Sequence, residues 1–130
     1  MTFPGRIHQD DNFDVAGFEG EILEEIIGIV DEDENPILIY IKVSNKTWQK
    51  YFLDAYLAFW EDWGDIEYEE GDISIDYGNM FNIKEKRIKF IKCRDCRLIV
   101  ELENGEALIL KHKSTDRDSE CEVEYVKKHA

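Results

Sequence analysis

The sequence predicts a mainly β protein, in which an antiparallel meander forms a sandwich or a partly open barrel. Short runs rich in Ile and Val, many of them alternating with polar residues, follow one another along the chain. About eight such runs are separated by turn-forming residues. The dipeptide Asn104-Gly105 lies between two apolar runs, where it is typical of a tight hairpin turn.

The first third of the chain is predicted to start irregularly and then to form a hairpin. Residues 1–17 are rich in Pro, Gly, Asp and Asn, which indicates an irregular lead-in. Residues 21–30 are rich in Ile and favour a strand, and residues 37–43 alternate as ILIYIKV. The acidic connection DEDENP between them ends in Pro36, so we expect the two strands to pair antiparallel.

The pattern of residues 48–63 fits two structures. Trp48, Phe52, Phe59 and Trp63 belong to a helical stripe, which predicts an α+β protein with a helix at about 48–63. In an extended chain, however, alternate residues from Tyr51 to Phe59 fall on opposite faces. The density of aromatic residues and the turn-forming SNKT before them favour a strand, and the helix stays the alternative.

The second half of the chain is predicted to consist of hairpins. An acidic loop at 64–72 leads to a short strand at 73–77 and a turn at Gly78-Asn79. Turns are predicted at Arg94-Asp95 and Asn104-Gly105. The strands expected around them are 87–93, 96–103, 106–112 and 119–126. In the last strand the acids face one way, and Cys121, Val123 and Tyr125 face the other.

Length and composition predict one domain over residues 1–130, without a cleavable leader or a membrane span. The three cysteines are an odd number in a chain without an evident export signal. This favours a reduced, cytoplasmic protein. The oligomeric state stays open.

The net charge of −14 is unevenly distributed along the chain. Residues 1–83 contain 20 acids and 4 bases, whereas residues 84–130 contain 10 acids and 12 bases. A strongly negative field disfavours nucleic acid and anionic membranes as partners and favours a basic protein. The alternative is that the acidity only keeps the protein in solution.

The stretch from Tyr51 to Ile83 combines nine aromatic residues and nine carboxylates with no Lys or Arg. Interface centres favour Trp and Tyr, and surrounding carboxylates accelerate docking onto a basic partner. The alternative is a solvated acidic loop over an ordinary aromatic core. The predicted partner-binding residues are Trp60, Glu61, Asp62, Trp63, Asp65, Glu67, Tyr68, Glu69, Glu70 and Asp72.

No set of residues indicates catalysis, a cofactor or a metal, so we expect a protein that is not an enzyme. Asp54 lies within the aromatic run, but no nucleophile or base accompanies it. Cys93 and Cys96 have the spacing of a zinc knuckle or a redox pair. Two further zinc ligands would have to come from residues distant in sequence, such as Cys121 or His112. The alternative function is therefore a small ligand- or zinc-binding β-domain.

The run TWQKYFLDAYLAFWEDW followed by acids, the small size, the charge of −14 and the lack of catalytic residues together carry one resemblance. In these features the chain resembles the small acidic immunity proteins that bacteria pair with basic nucleases or other polymorphic toxins. The resemblance implies a cognate toxin as partner, blocked by tight one-to-one binding. It rests on overall character, so no individual residue role follows from it.

Overall fold

The computed structural model describes residues 5–54, 57–64, 71–114 and 120–127. Within this part, eleven strands and one short helix confirm the prediction of a mainly antiparallel β fold. The elements are β1 Gly5–Asp10, β2 Phe13–Asp14, β3 Ile22–Val30, β4 Pro36–Val43, β5 Trp48–Asp54, β6 Leu57–Gly64, β7 Ile73–Asp76, α1 Tyr77–Met80, β8 Lys86–Arg94, β9 Arg97–Leu102, β10 Ala107–His112 and β11 Cys121–Val126.

The strands form one open sheet in the order β1-β6-β5-β4-β3-β8-β9-β10-β11. β3 and β8 pair only through Ile22–Arg87 and Leu23–Lys86. Beyond this short junction β7 pairs with β3, and β2 pairs with β8. The sheet therefore divides into two parts whose inner faces meet in a common core, where the Tyr51 hydroxyl lies 3.6 Å from the Cys93 sulfur. Within the described residues the path does not close into a barrel.

The central segment is a hairpin, so the extended interpretation is confirmed and the helix at 48–63 is wrong. β5 pairs with β6 in a register that places Tyr51 opposite Trp60 and Phe52 opposite Phe59. Tyr51 and Trp60 are both buried in the core. The rings of Phe52 and Phe59 stack on the other face, with centroids 4.7 Å apart. An extended hairpin can carry aromatic residues on both of its faces, because each of these rings lies opposite a ring on the neighbouring strand.

Three local predictions differ from the structure. Within the segment 1–17, expected to be irregular, β1 pairs with β6 and β2 pairs with β8, and these long-range pairings leave no local sequence signal. The turn predicted at Gly78-Asn79 is the single turn of α1, and the Asp76 carboxylate caps it by accepting a hydrogen bond from the Asn79 N–H.

The third difference is a shift by one residue in the turn between β8 and β9. Arg94 pairs with Arg97, so the turn residues are Asp95 and Cys96 rather than Arg94 and Asp95. Their φ angles are 51° and 61°. A two-residue hairpin of this type requires positive φ at both turn positions, and Asp tolerates this conformation better than most residues.

Candidate functional site

Trp60, the first residue of the predicted partner-binding set, belongs to the core. Its side chain is 0% exposed, and its indole Nε1 donates a hydrogen bond of 3.0 Å to Gln49 Oε1. Phe18 meets it edge to face, with ring centroids 5.7 Å apart. Because both its apolar area and its N–H are satisfied inside the protein, Trp60 is not available as an exposed anchor.

The carboxylates next to Trp60 differ in their surroundings. Glu61 is only 7% exposed and lies 3.4 Å from Lys50 Nζ. Asp62 is half-buried and accepts hydrogen bonds of 2.7 Å from Thr47 Oγ1 and 3.3 Å from Gln49 Nε2. Asp62 therefore ties the entry of β5 to β6, and its carboxylate still reaches the surface.

The rest of the predicted set is described only in part. Trp63 lies in β6, and its side chain is outside the described residues. Asp65, Glu67, Tyr68, Glu69 and Glu70 also lie outside the described residues. Asp72 is exposed immediately before β7. Since Ile73 pairs with Val30, Asp72 lies at the end of β3 from which the loop to β4 departs. The side chain of Asp54, in β5, is likewise outside the described residues.

The outer face of the β5–β6 hairpin carries aromatic residues that were not assigned to the predicted site. Phe52 and Phe59 are half-buried there, and Lys50 Nζ lies 5.6 Å from the centre of the Phe52 ring. Trp48 packs edge to face against Tyr40, with centroids 6.4 Å apart. The sequence could have indicated this second aromatic face, because in an extended chain the side chains of Tyr51 and Phe52 point to opposite sides of the sheet.

Most basic side chains of the described part already contact carboxylates of the same chain. Ion pairs with N···O distances up to 3.9 Å engage eight of them: Lys42, Lys50, Lys84, Lys86, Lys89, Arg94, Lys111 and Lys113. The chain has 30 acids and 16 Lys and Arg residues, so these pairs leave a large surplus of carboxylates. Exposed members of this surplus include Asp10, Asp11, Glu32, Asp33 and Glu34.

The loop between β3 and β4, residues 31–35, presents part of this surplus in a fixed conformation. The Asp31 Oδ1 accepts hydrogen bonds of 2.9 Å from the N–H groups of Asp33 and Asn35. The bond from the Asn35 N–H is the main cause that lowers the pKa of Asp31. Asn35 Nδ2 also donates to Glu120 Oε2 at 3.0 Å, which ties the loop to the start of β11. Asp33 and Glu34 are left exposed on this hydrogen-bonded loop.

The cysteines are placed as core residues. Cys93 and Cys96 are buried, and burial raises the pKa of the Cys93 thiol to about 11 and also raises that of Cys96. Burial likewise raises the pKa of Cys121 to about 11, and its sulfur lies 3.8 Å from His112 Nδ1. Thiols kept protonated are poor metal ligands and poor nucleophiles. Among the described side chains, no three Cys, His, Asp or Glu groups converge in a geometry that could hold a metal ion.

The comparisons with known proteins identify no relative: no protein-family model, no curated protein and no solved structure matches this chain. In the part that the structure describes, no helix has the length and apolar character needed to cross a bilayer. The described residues thus combine a surplus of surface carboxylates with a sheet in which Cys93 and Cys96 are buried and Cys121 is partly buried.

Proposed function

We propose that this protein is a non-enzymatic, acidic protein-binding domain of the immunity type, which inhibits a basic toxin by one-to-one binding in the bacterial cytoplasm. The observation that carries the proposal is the surplus of surface carboxylates that remains after the internal ion pairs are formed. A surface of this kind accelerates association with a basic protein and disfavours acidic partners.

The internal ion pairs matter because they separate acids with a structural role from acids without one. Glu61 and Glu101 are buried and lie 3.4 and 3.2 Å from Lys50 and Lys89. Exposed acids such as Asp33 and Glu34 are not needed for the core. Like charges crowded on one surface destabilise the folded state, so a functional partner of opposite charge is a physical reason for keeping them.

The proposed contact surface consists of the predicted partner-binding residues, with Trp60 supporting that surface from the core. Asp62 and Asp72 reach the surface at the two ends of the segment that contains Asp65, Glu67, Tyr68, Glu69 and Glu70. The stacked pair Phe52–Phe59 on the outer face of the hairpin would add apolar contact area. We expect the carboxylates to control the rate of association and the aromatic rings to slow dissociation.

The alternative, a ligand- or zinc-binding β-domain, has less support. The inner faces of the sheet are occupied by large side chains, among them Trp60, Tyr51 and Leu23, each fully buried. Side chains of this size fill the interior where a small apolar ligand would have to bind. The raised thiol pKa values also work against zinc at Cys93 and Cys96.

The test is binding of the purified full chain to the product of the gene next to its own, measured by stopped-flow association at several salt concentrations. Reversing Glu67, Glu69 and Glu70 to Lys should slow association at least tenfold and flatten its salt dependence. The matched control reverses Glu19, Glu85 and Glu103, which are exposed elsewhere and change the net charge equally. Equal slowing in both variants would exclude this surface, and no binding by the native chain would contradict the function for this partner.

A further inference from the structure

A groove of about 290 Å³ lies between β11, α1 and the loop of residues 31–35. Its lining includes the apolar or aromatic side chains of Ile75, Tyr77, Phe81 and Val123. Met80 stands at its border with 56% of its surface exposed, although it is a large apolar residue. Acidic residues Asp33, Glu34 and Glu122 line the same groove, together with Lys113. The groove thus combines apolar side chains with three carboxylates and one Lys.

One wall of the groove is β11, which is an edge strand of the sheet that the described residues form. β11 pairs with β10 on one side, and no described strand pairs with its other side. The Lys113 N–H donates to the Glu120 carbonyl at 2.8 Å, which fixes the hydrogen-bonding phase of the β10–β11 ladder. Bonded pairs alternate with unbonded pairs in an antiparallel ladder. The unbonded positions are therefore Cys121, Val123 and Tyr125, whose N–H and C=O groups point to the free edge.

The pairing of β10 with β9 gives the same phase independently. The Leu102 N–H donates to the Glu106 carbonyl at 2.8 Å, so the pair Leu98–Leu110 is a bonded one. Leu110 uses its backbone groups toward β9 and cannot use them toward Val123, its partner in β11. The outward direction of the Val123 N–H and C=O therefore follows from two separate hydrogen bonds.

The side chains of β11 alternate between the core and the surface. Cys121, Val123 and Tyr125 pack against the core but stay partly exposed. Glu122 and Glu124 project to the other face, where Lys111 Nζ lies 3.9 and 3.1 Å from their carboxylates. Their side chains are still 42% and 49% exposed, so each can contact a second cation. This pattern confirms the alternation predicted for the strand.

We propose that the free edge of β11 takes an extended basic segment of the partner protein, which adds to the sheet as a further strand. This inference deepens the proposed function and rests on it, because it specifies how the basic partner would be held. Main-chain groups of Cys121, Val123 and Tyr125 supply the hydrogen bonds, and the groove accepts alternate side chains. The matching segment alternates apolar residues, directed to the apolar side chains of the groove, with Lys or Arg, directed to Glu122 and Glu124.

The charges of β11 argue against a second copy of this chain as the occupant. An antiparallel pairing of two β11 strands about Val123 would place Glu122 of one copy opposite Glu124 of the other. Like charges at directly opposed positions destabilise a pair of strands. Charged residues of this kind on an edge strand are a known protection against self-association. A strand bearing Lys or Arg at those positions reverses the sign of the interaction.

The test uses the full chain and a synthetic nine-residue peptide that alternates Lys with Val. Two control peptides replace every Lys by Glu, or the central Val by Pro. Binding is measured by calorimetry, and amide shifts by NMR spectroscopy. Val123→Pro removes one outward N–H without touching the bonds to β10, and it should weaken binding of the Lys peptide at least tenfold. Val123→Ala keeps that N–H and should weaken binding less than threefold.

A second measurement does not depend on any variant. In the native chain the amides of Val123 and Tyr125 should exchange rapidly with solvent, and the Lys peptide should slow their exchange. Equal binding by Val123→Pro and the native chain would overturn the proposal. NMR amide shifts confined to other strands, or tight binding of the Glu peptide, would also overturn it. The same holds if the Lys peptide does not bind at millimolar concentration, or if the chain forms a dimer through β11.

The failure of this proposal can be distinguished from failure of the function. If the basic partner binds the native chain, and binds slowly to the variant in which Glu67, Glu69 and Glu70 are replaced by Lys, the proposed function is supported. Unchanged partner binding by Val123→Pro in the same experiment would then exclude only the strand addition. If the partner does not bind the native chain at all, the proposed function fails for that partner, and the peptide experiment still decides whether β11 accepts a strand.

Discussion

Glu106 is a buried carboxylate whose removal should destabilise the fold in a pH-dependent manner. It is 8% exposed and accepts hydrogen bonds from Lys86 Nζ, from the Tyr125 hydroxyl and, at 2.5 Å, from Asn104 Nδ2. These donors come from β8, β11 and the turn before β10, so one carboxylate joins three segments. The hydrogen bonds from Lys86, Tyr125 and Asn104 outweigh the effect of burial and lower the pKa of Glu106.

Replacing Glu106 by Gln keeps the shape of the side chain but removes the charge and one acceptor oxygen. The amide NH₂ then faces a donor, and a hydrogen bond to a charged group is lost. Such bonds contribute about 1.5–3 kcal/mol each. Lys86 is about a third exposed, so water compensates part of this loss. We therefore expect Glu106→Gln to lower the free energy of unfolding by about 2 kcal/mol at pH 7.

The assay is urea unfolding followed by fluorescence, repeated from pH 7 down to pH 3. A carboxyl with a lowered folded-state pKa contributes fully above its unfolded pKa, for which the ordinary value is 4.5. The contribution is lost as the pH falls through the lower folded-state pKa. The difference between native chain and variant should therefore shrink toward pH 3. The control is Glu103→Gln, at an exposed position beside the same turn, with an expected change within about 0.5 kcal/mol. A Glu106 effect as small as the control, or one that is constant with pH, would refute the reasoning.

Two further predictions concern the packing of the core. Gly28→Ala should destabilise the protein by about 1–3 kcal/mol in the same unfolding assay, because a Cβ at Gly28 would overlap with Tyr77 Cε2. Most of that cost should disappear in a Tyr77→Leu background, and an undiminished cost there would show that the ring is not its cause. The cysteines should react with a thiol reagent at pH 8 at least tenfold more slowly in the native chain than in guanidinium. One fast native thiol would contradict the burial that raises the pKa of Cys93 and Cys121 to about 11.

The parts of the fold that depend on local patterns could be predicted from the sequence. Asn104-Gly105 forms a turn with Gly105 at φ 95°, as its dipeptide indicates. β3 and β4 pair across their acidic loop, and β11 alternates as its residues predict. In each case residues close together in sequence contain both the alternation of apolar residues and the turn-forming residues. The local sequence and the tertiary contacts therefore favour the same structure.

The remaining features depend on contacts between distant parts of the chain. β1 and β2 form because β6 and β8 offer them free edges, and nothing in residues 5–14 alone requires a strand. The burial of Trp60 depends on Phe18 and Gln49, which lie far from it in sequence or on another strand. The groove beside β11 is formed by α1, β7 and the loop of residues 31–35. Periodicity describes which face a residue takes, but it does not describe what covers that face.

Because Trp60 lies in the core, the aromatic residues of the stretch from Tyr51 to Ile83 indicate function less directly than its exposed acids do. A dense group of aromatic residues has an ordinary explanation when the rings fill the core, as Trp60 and Tyr51 do. No comparable explanation from packing applies to the exposed acids Glu32, Asp33 and Glu34, since within the described residues none of the ion pairs involves them. The proposed recognition of a basic partner therefore has to rest on groups that the fold of the described residues does not already use. These groups are the surplus carboxylates and the outward N–H and C=O groups of β11, and both are suited to a basic, extended segment.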